Sequence, residues 1–347
     1  MRLRLGPTLA LRGALATTLA AVLAIGAGGE AMAWGSSGHR MIGEGAIEAL
    51  PAELPPFLRD AASATAVGEL SREPDRSRKS GLAHDSDRDA GHFVDGDDNG
   101  KVAGVLPLTA LPPTRDAYET ALRAAGATSW KMGYLPYSIV EDWQQLVKDF
   151  AFWRVDDAGA RLSPSLDHKA WLEADKARRQ AQILFDIGLL SHFVGDGSMP
   201  LHTSIHYNGW GPFPNPDGYT LEHVHVPWEG LYVRQVVTFE AMKAAMTPFH
   251  DCNCPIEQRV GAYLADDLAT VIPFYELEKA GAFKPGVAKG VEFTTGRVAA
   301  GASELRDEIV LAWRASADAK VGYQPEFNVG DVESGKVDPY DSLYGDD

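Results

Sequence analysis

Residues 192 to 202 read His-Phe-Val-Gly-Asp-Gly-Ser-Met-Pro-Leu-His and bring two imidazoles and a carboxylate into one short stretch. His192 and Asp196 stand four apart, so on a helix their side chains leave one face about 40° apart, one turn above the other. Pro200 then stops the helix. His202 follows the break, where a turning chain can swing its imidazole away from the first pair. One segment could thus serve neighbouring metal ions; a His–carboxylate hydrogen bond on a buried helix beside an unrelated loop His would use the same residue types.

A second pair with the same spacing lies in Leu-Glu-His-Val-His225-Val-Pro-Trp-Glu229, where His223 is the rival imidazole. His92 opens His-Phe-Val-Asp, and His39 closes Trp34-Gly-Ser-Ser-Gly-His. Asp75 offers a carboxylate at a helix end, in competition with Asp85, Asp87 and Asp89. Asp95, Asp97, Asn99 and Gly100 match the first half of a calcium loop, but its twelfth position is Leu106 where a bidentate Glu is required, so a turn explains them better. Imidazole and carboxylate without thiolate point to zinc or a similar borderline metal, with ligands at about 2.0–2.2 Å. Such a cluster attracts phosphate, lowers the pKa of water and stabilises a leaving alkoxide, with ions about 3.5–4 Å apart in two-metal phosphoryl enzymes.

The elements that must position these groups are helical. Helical spacing predicts helices over 39–50, 55–70, 114–125, 138–153, 166–197, 230–247, 256–279 and 298–317, with Ile183, Ile187, Leu190 and Val194 as one apolar stripe. Gly/Pro/Asp-rich loops separate them, notably 72–113 and 203–223, and loops of that length inside a domain are uncommon unless functional. Residues 1–33 carry Arg2, Arg4 and Arg12, an Ala/Leu/Val run and Ala31-Met32-Ala33, the pattern of a secretory signal peptide. Its removal would make Trp34 the mature N-terminus, with a free α-amino group that is itself a metal ligand. A secreted or periplasmic protein is expected, with no later stretch long enough to span a membrane.

Hydrophobic residues make up 45% of the chain, ordinary for a globular core, and the remaining length suits one large domain over about 34–320. Residues 321–347, rich in Asp and Glu, are expected to form a flexible acidic tail. The formal charge of −16 disfavours long-range attraction to polyanions or anionic bilayers, so a phosphate ligand would depend on a local metal field. The only cysteines, Cys252 and Cys254, fit neither a zinc knuckle nor a Cys-x-x-Cys redox pair, and a tight local disulfide is expected in an oxidising compartment.

The ordered set Trp34, His39, Asp75, His92, His192, Asp196, His202, His225 and Glu229 resembles the three-zinc superfamily of bacterial zinc-dependent phospholipases C and single-strand-specific zinc nucleases with 3′-nucleotidase activity. The resemblance spans most of the chain after the leader, and its most specific parts are the processed N-terminal Trp and the His-x3-Asp-x5-His core. It implies a mainly α fold, a single α-helical domain of the phospholipase C/zinc nuclease type with long functional loops, and three Zn2+ ions. The first would be held by Asp75, His92, His192 and Asp196. The second would take the Trp34 amino group and carbonyl, His39 and the bridging Asp196; the third would take His202, His225 and Glu229. Asp75, with Asp85 as its substitute, would also face the attacking water as orienter or general base.

The N-terminal Trp-x4-His and the long step from His202 to His225 resemble the nuclease branch. Glu229 and the turn at Asp97 to Lys101 resemble the phospholipase branch. Phe93 and Asp95 follow His92 as a stacking ring and a base-edge acceptor do in nucleases. Tyr207, Trp210, Phe213 and Tyr219 stud the loop between third-zinc ligands, where they could stack bases, enclose a choline ammonium or pin the loop. The expectation is an exported phosphodiester hydrolase, an endonuclease in which zinc-bound hydroxide cuts single-stranded DNA or RNA to 5′-phosphorylated products. A phospholipase C acting on phospholipid is the alternative, and a non-catalytic zinc-binding periplasmic protein is the reading from another class. No stable protein partner is implied.

Overall fold

Helix follows helix along the chain of this computed structural model, which describes residues 34–78, 81–322 and 326–344. The leader expected over 1–33 lies outside them. α1 (Gly35–Glu48) and α2 (Ala61–Leu70) pack together, and α3 (Glu73–Arg76) is a single turn after them. Asp60 stops the chain before α2 by accepting the Ser63 N–H at 2.7 Å, a cap worth about 1 kcal/mol. A 3-10 stretch, Asp85–His92, leads to a small hairpin of β1 (Lys101–Val102) and β2 (Leu106–Pro107), then to α4 (Arg115–Ala124) and α5 (Ser129–Met132). Two long helices follow, α6 (Leu135–Leu162) and α7 (Leu166–Asp196), packed side by side. After the loop from 203 come a π turn at Pro227–Tyr232, α8 (Val233–Val236), α9 (Phe239–Ala245), α10 (Ile256–Leu268), α11 (Val271–Lys279) and α12 (Ala288–Ser316). The mainly α class stands: the strands among the described residues are two-residue pairs, the second formed by β3 (Lys320–Val321) and β4 (Phe327–Asn328). Two short helices, α13 (Val329–Glu333) and α14 (Tyr340–Tyr344), end the described chain. No described helix is long and apolar enough to cross a membrane.

The core sits where α1, α2, α7 and α12 meet. Ile42 and Ile47 of α1, Val67 of α2 and Val298, Leu305 and Ile309 of α12 are buried with the apolar stripe of α7, Ile183, Ile187, Leu190 and Val194. Each such side chain withdrawn from water contributes about 1.5–3 kcal/mol. Boundaries differ from the periodicity where a proline or a break decides them. α6 starts at Leu135 because Pro136 suits a first turn, and it runs on to Leu162. The helix expected over 256–279 divides after Leu268, and Pro273 sits in the opening turn of α11, where it has no intrahelical N–H to lose. The segment over 230–247 divides at Val237, whose backbone is extended.

The acidic tail is a correction. Val321, Phe327, Val329 and Val332 are buried against Ala151, Val155 and Ala158 of α6, so the described part of 321–344 is a packed flap. Its charges hide an apolar residue at nearly every turn. Cys252 and Cys254 are joined as a disulfide, with Asn253 between them at a φ of 50°.

Asp142, Asp149 and Asp156 recur every seven residues on α6 and meet Asp186 and Asp175 of α7. Asp156 is fully buried beside Asp175. Burial raises its pKa from the ordinary 3.8 to about 8. Between those values it is protonated when folded and ionised when unfolded, so the unfolded state binds fewer protons and stability falls as pH rises. Asp156→Asn, neutral in both states, is therefore expected to be more stable than wild type at pH 8, by on the order of 2–4 kcal/mol. The gap should close toward pH 4. Thermal unfolding across that range checks this, and a gap independent of pH would contradict a neutral acid at this position.

Candidate metal centre

The last turn of α7 ends on His192 and Asp196, both fully buried. Three elements bring groups to it. α1 lays His39 alongside, and this needs Gly195: a Cβ there would stand 2.9 Å from His39 Nδ1. α3 supplies Asp75, whose Oδ1 is 4.0 Å from His192 Nε2 and 3.1 Å from Arg78 Nη1. The 3-10 stretch delivers His92, with Nδ1 3.0 Å from His192 Nε2 and 3.1 Å from Asp196 Oδ2. Asp196 therefore turns one oxygen to His92 and His192. Its other oxygen, Oδ1, faces His39 Nε2 at 3.5 Å and has no hydrogen-bond partner. The two oxygens of Asp196 thus face different imidazoles.

A separate set forms where the chain turns after Pro200. His202 Nε2 lies 3.0 Å from His225 Nε2, and Glu229 Oε2 lies 3.0 Å from His225 Nε2 and 3.8 Å from His202 Nε2. Glu229 enters on the π turn, a form of helix common at functional sites, four residues beyond His225.

Backbone carbonyls decide which imidazole nitrogens carry protons. His202 Nδ1 donates to the His92 carbonyl at 2.5 Å, His225 Nδ1 to Tyr207 at 2.7 Å and His192 Nδ1 to Ser71 at 2.8 Å. A neutral imidazole has one N–H, so each Nε2 presents a lone pair. Burial keeps the rings neutral, lowering His225 to about 4 and His192 to about 3, and also lowers His202. Two lone pairs facing each other at 3.0 Å beside a buried carboxylate repel; a cation in their midst reverses the sign. A carbonyl on the far nitrogen is also the usual orienter of a metal-ligating His. Three groups could hold ions: His39, His192 and Asp196; Asp75, His92 and His192; His202, His225 and Glu229. Desolvation raises the Asp196 carboxyl well above the carboxylate range, with Asp75 adding to the rise, and a bound cation would invert that balance.

Trp34 caps α1 with a φ of 23°, uncommon for a residue with a side chain. Its buried indole donates to Ser198 Oγ at 2.8 Å and lies against Trp228. This fixes the main chain at the start of α1, and the Trp34 carbonyl accepts the Gly38 N–H. Asp75, not Asp85, is the carboxylate brought into the cluster. Phe93 is half-buried; the chain crosses it so closely at Gly133, with φ of 76°, that a Cβ there would meet the Phe93 carbonyl. Burial raises the nearby Asp95 carboxyl to about 7.

Trp210 faces inward. Only 4% exposed, it stacks on His206 at 3.7 Å and donates its indole N–H to the Pro214 carbonyl, so it pins the loop. It also borders a cavity of about 540 Å³ with Asp97, Asp98 and Ile272, which none of the proposed ligands lines. Tyr219 is buried beside it, whereas Tyr207 is 55% exposed and its carbonyl holds His225. Two other cavities adjoin the cluster: one of about 300 Å³ walled by His92, Arg88, Arg115, Tyr134 and Phe193, and one of about 160 Å³ walled by Ser36, His39, Arg72, Asp75 and Arg76. Sequence reasoning missed Arg78 and the orienting carbonyls of Ser71, His92 and Tyr207. Arg78 stood in view in Asp-Arg-Ser-Arg without a sign of which guanidinium turns inward, and a carbonyl leaves no signal in residue identity.

Because the His202 set shares no side chain with the Asp196 sets, Glu229→Gln is expected to remove one ion per chain and leave the others. Elemental analysis of purified protein checks this, and undiminished metal content would contradict the assignment. No family model, curated protein or solved structure matches the chain.

Proposed function

We propose that this chain is a metal-dependent phosphodiester hydrolase, and in its simplest form a zinc-dependent endonuclease acting on single-stranded DNA or RNA. The observation that carries the reading is the convergence of His202, His225 and Glu229, with both Nε2 lone pairs directed inward by backbone acceptors, beside a second cluster built on Asp196. Nitrogen and oxygen donors without thiolate suit zinc. Ions held there would lower the pKa of a water and withdraw charge from phosphodiester oxygens.

The protein's own groups then divide the remaining work. With ions bound, Asp196 would offer one oxygen on the His39 side and the other on the His92 side. Asp75, anchored by Arg78, is placed to orient a water or take its proton. Phe93 offers a half-buried ring next to His92, and Asp95, poised near neutrality by burial, can accept from or donate to a base edge. The resemblance to exported enzymes and the leader pattern suit a secreted or periplasmic protein whose chelating terminus is created by processing.

Parallel assays on single-stranded DNA, RNA, phosphatidylcholine and bis(p-nitrophenyl) phosphate test the class. Asp196→Asn keeps the shape but removes the shared charge, and is expected to abolish turnover of every substrate while circular dichroism stays unchanged. Wild-type activity in that variant would overturn the bridging role. A base stacked on Phe93 is worth about 1–3 kcal/mol, so Phe93→Ala should lower oligonucleotide cleavage roughly ten- to hundredfold with little effect on the small diester. Equal losses on both would remove the reason to prefer nucleic acid over phospholipid. A form retaining one residue before Trp34 is expected to lose the ion assigned to His39 and most activity; full metal content and normal turnover would show that the α-amino group is not a ligand.

A further inference from the structure

The cavity of about 160 Å³ beside the cluster has two of the proposed ligands, His39 and Asp75, in its wall, and its remaining wall is Ser36, Arg72 and Arg76. Two guanidiniums at one mouth stand out in a chain of net charge −16. Their carboxylate partners are local. Arg72 pairs with Glu69 at 2.9 Å, an oxygen pair Glu69 shares with Arg40, and Arg76 pairs with Glu73 at 2.6 Å. Each guanidinium has five N–H donors, so one carboxylate leaves others for a ligand. Pairs at this exposure contribute about 0–1 kcal/mol, which a phosphate can displace or share.

Ser36 adds a different kind of attraction. It lies in the first turn of α1, a 14-residue helix with no side-chain cap at Trp34, where the earliest N–H with an acceptor inside the helix is that of Gly38. The positive end of that helix therefore begins beside the wall that holds the two arginines.

We propose that Ser36, Arg72 and Arg76 form an anion subsite that binds a second phosphate of the substrate, one nucleotide away from the phosphodiester at the metals. This rests on the phosphodiesterase reading above and narrows it. A phospholipid such as phosphatidylcholine carries a single phosphodiester, which the metal centre would engage, and has no second phosphate for this pocket. A nucleic-acid strand has one at every step. The chain thus compensates for its acidity with one local contact to the strand instead of a basic groove.

The test compares octathymidylate with bis(p-nitrophenyl) phosphate on the zinc-loaded protein, for wild type, Arg72→Gln/Arg76→Gln and Arg72→Lys/Arg76→Lys. In the Gln variant the ratio of kcat/KM on octathymidylate to that on the small diester is expected to fall at least tenfold. Binding of a phosphorothioate octathymidylate, followed by fluorescence anisotropy as salt is varied, should lose about 0.7 from its log–log salt slope for each phosphate contact removed, and the Lys variant should retain the slope. An unchanged ratio and slope, or equal losses on both substrates, would overturn the subsite while leaving the phosphodiesterase reading in place. Wild-type protein that turns over neither substrate, or only the small diester, overturns the nuclease reading and the subsite with it.

Discussion

A carboxylate fully buried at the C-terminal end of a 31-residue helix is in an unfavourable place twice over: water is excluded, and the helix end is itself negative. Asp196 of α7 must be met by positive charge or carry a proton. Its nearest neighbours are three imidazoles and Asp75, all of which add electron pairs and none of which supplies a fixed positive charge. Arg78, the nearby cation, is already spent on Asp75 and Asp89. Much of the fold answers this constraint. α1 approaches over Gly195, α3 and the 3-10 stretch close over the end of α7, and the turn at Pro200 carries the chain to a second set of donors.

The two sets are tied by backbone more than by side chain. His92 belongs to one, yet its carbonyl fixes the tautomer of His202 in the other. Movement of the 3-10 stretch would disturb both, which gives residues 85–92 a mechanical importance out of proportion to their charged, half-exposed sequence. Tyr207 acts likewise from the following loop, through its carbonyl, while its ring remains in solvent.

What the residues reveal by themselves divides along these lines. The spacing of four in His192/Asp196 and His225/Glu229 is legible because neighbours on one helical turn are local, and the stripe Ile183 to Val194 is legible for the same reason. That His39 and Asp75 arrive at the same place is a property of packing, and only the resemblance to known three-zinc enzymes suggested it. The inward turn of Trp210 and the packing of the C-terminal segment are not legible because composition reports polarity and aromaticity but not direction: an indole in a loop can turn inward onto His206, and Val321, Phe327, Val329 and Val332 are diluted among acids. Helix ends were lost wherever a proline, as at Pro136 or Pro273, acts on a single peptide unit within a longer apolar rhythm.

The packed C-terminal flap also has a consequence for the order of synthesis. A chain emerges from the ribosome N-terminus first, so the face of α6 formed by Ala151, Val155 and Ala158 is made long before Val321, Phe327, Val329 and Val332, which cover it. Throughout that interval an apolar strip on one of the long central helices is without its cover. A segment made late thus completes the packing of a helix made early, and until then the nascent chain exposes a strip that a holding chaperone would recognise.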